Sequence, residues 1–156
     1  MIQRVQSFYL LLVTVLMSFM FLKPYAQLNL ADTQKIVFTT LSVKQVDRTE
    51  TVGKIRNTIP LFALVLITSA ISFFNIFLFN KRVVQIRVCI LNTLLLVVTV
   101  LLMCFYYYRA WHAVVHTDHF FRMSAIAPVM GIVFTFLAYR AIHNDELLVN
   151  SYNRIR

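Results

Sequence analysis

Charged side chains are missing from four long stretches of this 156-residue chain, and acids, glycine and cysteine are scarce throughout. There are six acidic residues, two glycines and two cysteines. So few glycines leave no glycine-rich phosphate loop, and no G-x-S-x-G elbow is found. Cys89 and Cys104 lie in one stretch, about 22 Å apart along a helix, which is too far for a disulfide. The chain also has no C-x-x-C and no C-x-x-C-H motif.

The four uncharged stretches are Val5–Leu22, Asn57–Asn80, Val88–Tyr108 and Met123–Tyr139. A helix rises about 1.5 Å per residue, so each stretch can cross a hydrocarbon core of about 30 Å, the last only just. Hydrophobic residues make up 60% of the chain, against roughly 45–50% in soluble domains. We therefore predict an all-α membrane protein, a four-transmembrane-helix bundle that forms one domain over residues 1–156.

The predicted spans cover about residues 5–22, 59–79, 86–108 and 123–141. Residues 23–57 form an outer loop that is β-prone, because Lys35–Val43 is rich in β-branched residues and partly alternates. A short strand or hairpin is expected there. After the fourth span, residues 142–156 keep a helical pattern, which predicts a cytoplasmic C-terminal helical extension.

Basic residues favour an orientation with both termini in the cytoplasm. The net charge is +9, and seven basic residues would then lie inside against eight outside, so the count alone does not decide. The tight turn Asn80–Arg87 holds three basic residues and no acid, and compact turns obey the positive-inside rule better than long loops. The excess charge is interpreted as contact with lipid headgroups rather than with nucleic acid.

Two patterns predict contacts with other helices. In the tail, Leu148, Tyr152 and Ile155 recur at i, i+4 and i+7, with Arg154 beside them. This stripe would lie on headgroups or dock on a partner protein. In the fourth span, Ala127 and Gly131 begin a stripe of small residues that lets a helix approach closely, either within the chain or from a neighbouring protein.

Two asparagines are the notable polar residues of the spans. Asn75 lies near the end of the second span and Asn92 near the start of the third, so both fall at similar depth. We predict an interhelical polar contact, a hydrogen bond between the two amides. The alternative is a polar substrate site in a cavity between the helices.

Three histidines form the one constellation that suggests chemistry. His112, His116 and His119 would share one face if the third helix continues past Trp111. Such a face resembles the beginning of a zinc site, although the remaining ligands would have to come from the first outer loop. The alternative is that they are ordinary interfacial residues, and no metal or other cofactor is predicted.

Three segments carry a family resemblance: MIQRVQSFYLLL at the start, NKRVVQIRVCILN at the second-to-third-span turn, and FLAYRAIHNDELLVNSYNRIR at the end. The chain resembles an uncharacterised four-pass inner-membrane protein family of Bacteroidota, described as a domain of unknown function. The resemblance implies a small inner-membrane protein and supplies no activity, catalytic residue or cofactor. Its recognisable residues are all predicted on the cytoplasmic side, and if they cluster in space they form a charged, hydrogen-bonding surface for a partner or anionic lipid: Gln3, Arg4, Gln85, Arg87, Arg140, Asp145, Glu146 and Arg154.

The leading functional prediction is a non-enzymatic structural or accessory subunit of a larger membrane complex. An enzyme, pump or proton-coupled transporter is disfavoured because ionisable groups that do such work inside a membrane are missing from the spans. The alternatives are a small transporter or lipid-binding protein with a cavity between its helices, and a metalloprotein that uses the histidines. Expected partners are the lipid bilayer and other membrane-protein subunits.

Overall fold

The computed structural model describes residues 2–29, 34–47, 50–78, 82–112 and 118–154. Most of these residues are helical. The helices are α1 (Ile2–Leu22), α2 (Ile59–Phe77), α3 (Arg82–Trp111) and α4 (Ala127–Arg154), with a 3₁₀ helix at Met123–Ile126 before α4. The strands are β1 (Ala26–Asn29), β2 (Gln34–Phe38), β3 (Ser42–Asp47), β4 (Glu50–Asn57) and β5 (Asp118–Phe121).

Each helix buries a stripe of residues that are spaced by three or four positions. On α3 the stripe runs from Gln85 through Cys89, Asn92, Leu96 and Thr99 to Met103. Alternating spacings of four and three residues are typical of helices that pack side by side at a small crossing angle. The four helices accordingly form a ring of neighbours, in which α1 and α3 each pack against both α2 and α4. We call α1–α4 together the helical body.

The outward faces of the helical body are apolar. Phe74 on α2 is 64% exposed, and Leu94 on α3 is 63% exposed. Three helical segments are long and apolar enough to cross a membrane: Ile59–Phe77, Val83–Trp111 and Met123–Asp145. The described apolar part of α1, Gln6–Leu22, is shorter. An apolar exterior on membrane-length helices indicates that lipid surrounds this part of the protein.

The strands form one antiparallel sheet in the order β4-β3-β2-β1-β5. The predominantly helical prediction is confirmed, but the single strand or hairpin expected in residues 23–57 is too small. That loop supplies four strands, and β5 comes from the segment between α3 and α4 and pairs with β1 in the register Ala26↔Phe121. Pairing with a strand that lies far away in the sequence cannot be deduced from the composition of one loop.

The sheet closes one end of the helical body, where α1 and α3 end and where α2 and α4 begin. We call this the sheet end. Phe38 on β2 is fully buried there, and its ring lies 5.8 Å from that of Tyr107 on α3. Hydrogen bonds fasten the sheet: Thr40 Oγ1 donates to Met20 O at 2.7 Å, and Thr58 Oγ1 donates to Thr40 O at 2.9 Å.

Candidate functional site

The far end of the helical body, opposite the sheet end, holds a chain of polar contacts between α2 and α3. Asn75 Nδ2 donates to Cys89 Sγ at 3.1 Å, and Asn92 Nδ2 donates to Ser72 Oγ at 2.9 Å. Gln85 Nε2 donates to the backbone oxygen of Asn75 at 3.3 Å. We call these five residues the amide ladder. A direct Asn75–Asn92 hydrogen bond is not among the bonds of the described residues, because each amide donates to a different residue of the facing helix.

The amide ladder contains buried side-chain carbonyl oxygens that accept no hydrogen bond from the described residues. The side chains of Asn75, Gln85 and Asn92 are each 1% exposed, and their amide groups donate as described above. Within the described part of the chain, no group hydrogen-bonds to their side-chain carbonyl oxygens. None of the five ladder residues carries a carboxylate or a basic group, and the three side-chain carbonyl oxygens without a partner can accept hydrogen bonds.

Gln85, one of the residues predicted on the cytoplasmic side, does not contribute to a surface there because it is buried in this ladder. Arg87 and Arg140, which were predicted on the same surface, are exposed. The misplacement of Gln85 was avoidable. Gln85, Cys89 and Asn92 are spaced by four and three residues, so they occupy one stripe of α3, and that stripe is the buried one.

A second candidate site lies at the sheet end, in a cavity of about 530 Å³ between α3, α4 and the residue before β1. We call it the aromatic cavity, because four of its lining side chains are aromatic. The lining residues are Tyr25, Val100, Met103, Cys104, Tyr107, Tyr108, Trp111, Ala125, Ile126 and Val129. None of them carries a charge, and the sequence patterns did not predict this site.

Tyr25 is held in the wall of the aromatic cavity by its backbone. Its N–H donates to Phe38 O at 2.9 Å, and its carbonyl oxygen accepts from the N–H of Arg122 at 3.1 Å. The side chain is 1% exposed, and its hydroxyl has no hydrogen-bond partner among the described residues. Burial, with smaller contributions from Tyr106 and Cys104, raises the pKa of Tyr25 above its usual value. The hydroxyl therefore stays protonated at neutral pH and can donate a hydrogen bond.

Two apolar grooves also lie on the lipid-facing surface. The first, of about 480 Å³, runs between α3 and α4 and is lined by Ile90, Thr93, Leu94, Val97, Phe136 and Tyr139. The second, of about 290 Å³, is lined by residues of α1 and α2 and includes Phe21 and Phe73. These cavities have linings that do not include Asn75 or Asn92, around which the alternative substrate site was predicted.

The three histidines do not share a helix. α3 ends at Trp111 and β5 begins at Asp118, so the condition for a common helical face is not met. His112 is exposed at the end of α3, with its ring 4.3 Å from that of Tyr108. His119 is in β5, where it pairs with Leu28, and His116 lies outside the described residues. No group of three potential metal ligands occurs within the described ranges.

The small-residue stripe of α4 faces the interior of the chain. Ala127 is 3% exposed, and a Cβ placed on Gly131 would lie 3.4 Å from Leu96 and 3.8 Å from Val13. Gly131 therefore marks the place where α4 approaches α1 and α3. The expected helix contact exists within the chain, so Ala127 and Gly131 are not surface residues for a partner.

The tail predicted as residues 142–156 is the last part of α4, which continues without a break to Arg154. Leu148, Tyr152 and Arg154 are thus on a helix. Their side chains lie outside the described part of the chain, as does the whole of Ile155.

The fold defines a class, namely a mostly helical protein with membrane-length apolar helices and a sheet over one end. The chain matches the family model described as a domain of unknown function (DUF4293) over residues 2–155. It therefore belongs to that family. A search of curated proteins finds no match.

Proposed function

We propose that this protein is a non-enzymatic, four-pass integral protein of the inner membrane that serves as a structural or accessory subunit of a larger membrane complex. The observation that carries the proposal is the length of α4. Its 28 residues span about 42 Å, more than a hydrocarbon core of about 30 Å requires. The C-terminal part of α4 therefore extends beyond the hydrocarbon core as a helix available to a partner.

The fourth crossing is supported by the position of α1 in the helical body. α1 packs along both α2 and α4, which are long and apolar enough to span. Its outward residues Phe8, Leu11 and Val15 are all more than half exposed. A helix that is held beside two spanning helices and presents apolar side chains outward lies at the depth of the bilayer.

A partner-binding tail is tested by two substitutions on the projecting helix. Leu148→Asp places a charge in the predicted apolar stripe, whereas Asn150→Asp places the same side chain on another face. The protein is purified from its native membranes in mild detergents, and the mass of the intact assembly is measured. We expect Leu148→Asp to release the protein from the assembly and Asn150→Asp to leave the assembly intact. A lone monomer of the unmodified protein in every mild detergent would contradict the proposal.

A second candidate function, lipid binding, is favoured by the aromatic cavity. The cavity lies within the apolar body of the protein, and two of its lining residues, Ile126 and Val129, are about half exposed on the lipid-facing surface. Membrane-soluble molecules can therefore reach it laterally. The metalloprotein alternative has no comparable support, because His112 follows α3 whereas His119 lies in β5.

A further inference from the structure

The aromatic cavity has the size and position of a ligand site for a lipid-soluble molecule. Its volume of about 530 Å³ falls within the range of roughly 300–1,000 Å³ typical of small-molecule pockets. Along α3 it extends from Val100 to Trp111, which corresponds to about 16 Å of helix. That distance matches one leaflet of a hydrocarbon core of about 30 Å. A ligand would therefore enter from one leaflet of the membrane.

The lining of the aromatic cavity favours a ligand whose bound part is neutral and planar. No lining residue is charged, so an ionic headgroup would find no counter-ion inside the cavity. Tyr107, Tyr108 and Trp111 follow one another along the α3 wall, and aromatic faces favour stacking with another planar ring. A ligand with a branched or purely aliphatic group in the cavity would not stack on these aromatic side chains.

The spare Tyr25 hydroxyl adds one polar requirement. A buried hydroxyl without a hydrogen bond is unfavourable, and this one belongs to a residue of the cavity wall. A ligand atom that accepts a hydrogen bond would satisfy it. A carbonyl oxygen on the ring meets that need without bringing a charge into the cavity.

The groove farther along α3 and α4 provides room for a long apolar tail. Val97 lines this groove and Val100 lines the aromatic cavity, so the two spaces are separated by about one turn of α3. Ile90 and Leu94 continue the same surface toward the far end. A tail leaving the cavity along α3 would thus remain in contact with the protein.

We propose that the aromatic cavity binds a prenylated quinone, with the ring against Tyr107 and Trp111, one ring carbonyl accepting a hydrogen bond from Tyr25, and the tail in the α3–α4 groove. The inference rests on the second candidate function, lipid binding, and names its ligand. It does not depend on the subunit role, because binding is measured on the purified protein alone.

The chain has a single tryptophan, and that residue, Trp111, lines the cavity. Its fluorescence is measured in nanodiscs of phosphatidylcholine while a decyl-benzoquinone is added, since quinones quench tryptophan on contact. We expect saturable quenching for the unmodified protein. Tyr25→Phe should weaken binding roughly three- to tenfold, the effect of one lost hydrogen bond. Tyr106→Phe, at the same level of α3 but outside the lining, should leave binding unchanged.

A second pair of variants tests whether the ligand occupies the volume of the aromatic cavity, independently of the Tyr25 hydrogen bond. Val129→Phe narrows the cavity and should lower the affinity at least as much as Tyr25→Phe. Val15→Phe on α1 is its control, since Val15 is 57% exposed, against 47% for Val129, and lines neither the aromatic cavity nor the α3–α4 groove. Quenching that rises linearly and equally in all variants would overturn the proposal. Equal displacement of the quinone by decane, which has the tail but no ring, would also overturn it.

Discussion

The two ends of the helical body bury polar groups in opposite ways. At the far end, three amides lie in a packed ladder between α2 and α3, with their carbonyl oxygens spare. At the sheet end, the buried hydroxyl without a partner belongs to Tyr25, a residue that lines a cavity of about 530 Å³. The three amide residues line none of the cavities described above. A ligand can complete an unsatisfied group in a cavity wall, whereas a group between packed helices can at most be completed by water. This comparison is the basis for proposing a ligand at the sheet end and a role in helix packing for the far end.

The largest effect should come from breaking the apolar core of the sheet end. Phe38 is fully buried and its ring lies between those of Tyr25 and Tyr107. Phe38→Ala should lower the free energy of unfolding by about 3–5 kcal/mol. The measurement is denaturation of the purified protein in mixed micelles. Phe74→Ala, at a lipid-facing position, is the control and should have a much smaller effect.

An intermediate effect is expected at Gly131, between the two ends. A Cβ there just reaches van der Waals contact with Leu96, so Gly131→Ala should be tolerated and can raise stability by up to about 1 kcal/mol through helix propensity. Gly131→Leu would force α4 away from α1 and α3 and should cost about 1–3 kcal/mol. Thermal unfolding of both variants measures the difference. A tolerated leucine would contradict the close approach described above.

A smaller effect is expected in the amide ladder. Asn92→Leu removes the hydrogen bond to Ser72 together with one spare carbonyl oxygen. Interhelical hydrogen bonds in membranes contribute about 0.6 kcal/mol on average and up to about 1.7 kcal/mol, so the loss of stability should be modest. The small-transporter alternative predicts instead that this variant folds normally and loses a transport phenotype. Stability and transport measured on one preparation decide between the two.

The smallest effect concerns Tyr25 at high pH. Its folded-state pKa is raised by burial, so the unfolded chain loses this proton first, near the usual tyrosine pKa of about 10. The stability that Tyr25 contributes is present below that pH and falls as the pH rises through it. Tyr25→Phe should remove part of this decline, as measured by unfolding between neutral and alkaline pH. Identical pH profiles would show that the hydroxyl is not buried in the folded protein.

Local patterns predicted the helices well. The span expected at 59–79 corresponds to α2 at Ile59–Phe77, and the span expected at 86–108 lies within α3 at Arg82–Trp111. The continuation of the fourth span into a tail helix corresponds to α4. These features depend on runs of neighbouring residues, because a helix satisfies its backbone within one segment.

The candidate sites were less predictable. Asn75 and Asn92 were recognised as residues that contact a neighbouring helix, but their partners Cys89 and Ser72 depend on how α2 and α3 are rotated against each other. No local sequence pattern distinguishes Tyr25, since a tyrosine near a helix end resembles any interfacial aromatic residue. The histidines were placed on one face because their spacing is helical, and the pairing of β5 with β1 overrode that spacing.

The sequence by itself determined the solvent of this protein and the length of its helices, because charge-free apolar runs of 17 to 24 residues are stable only out of water. The tertiary structure alone decided that residues on either side of α3 would join one sheet, and that Tyr25 would meet α3 and α4 around a cavity. The physical reason is that hydrophobicity and periodicity act locally. Strand pairing and cavities arise from contacts between residues that are far apart in the chain.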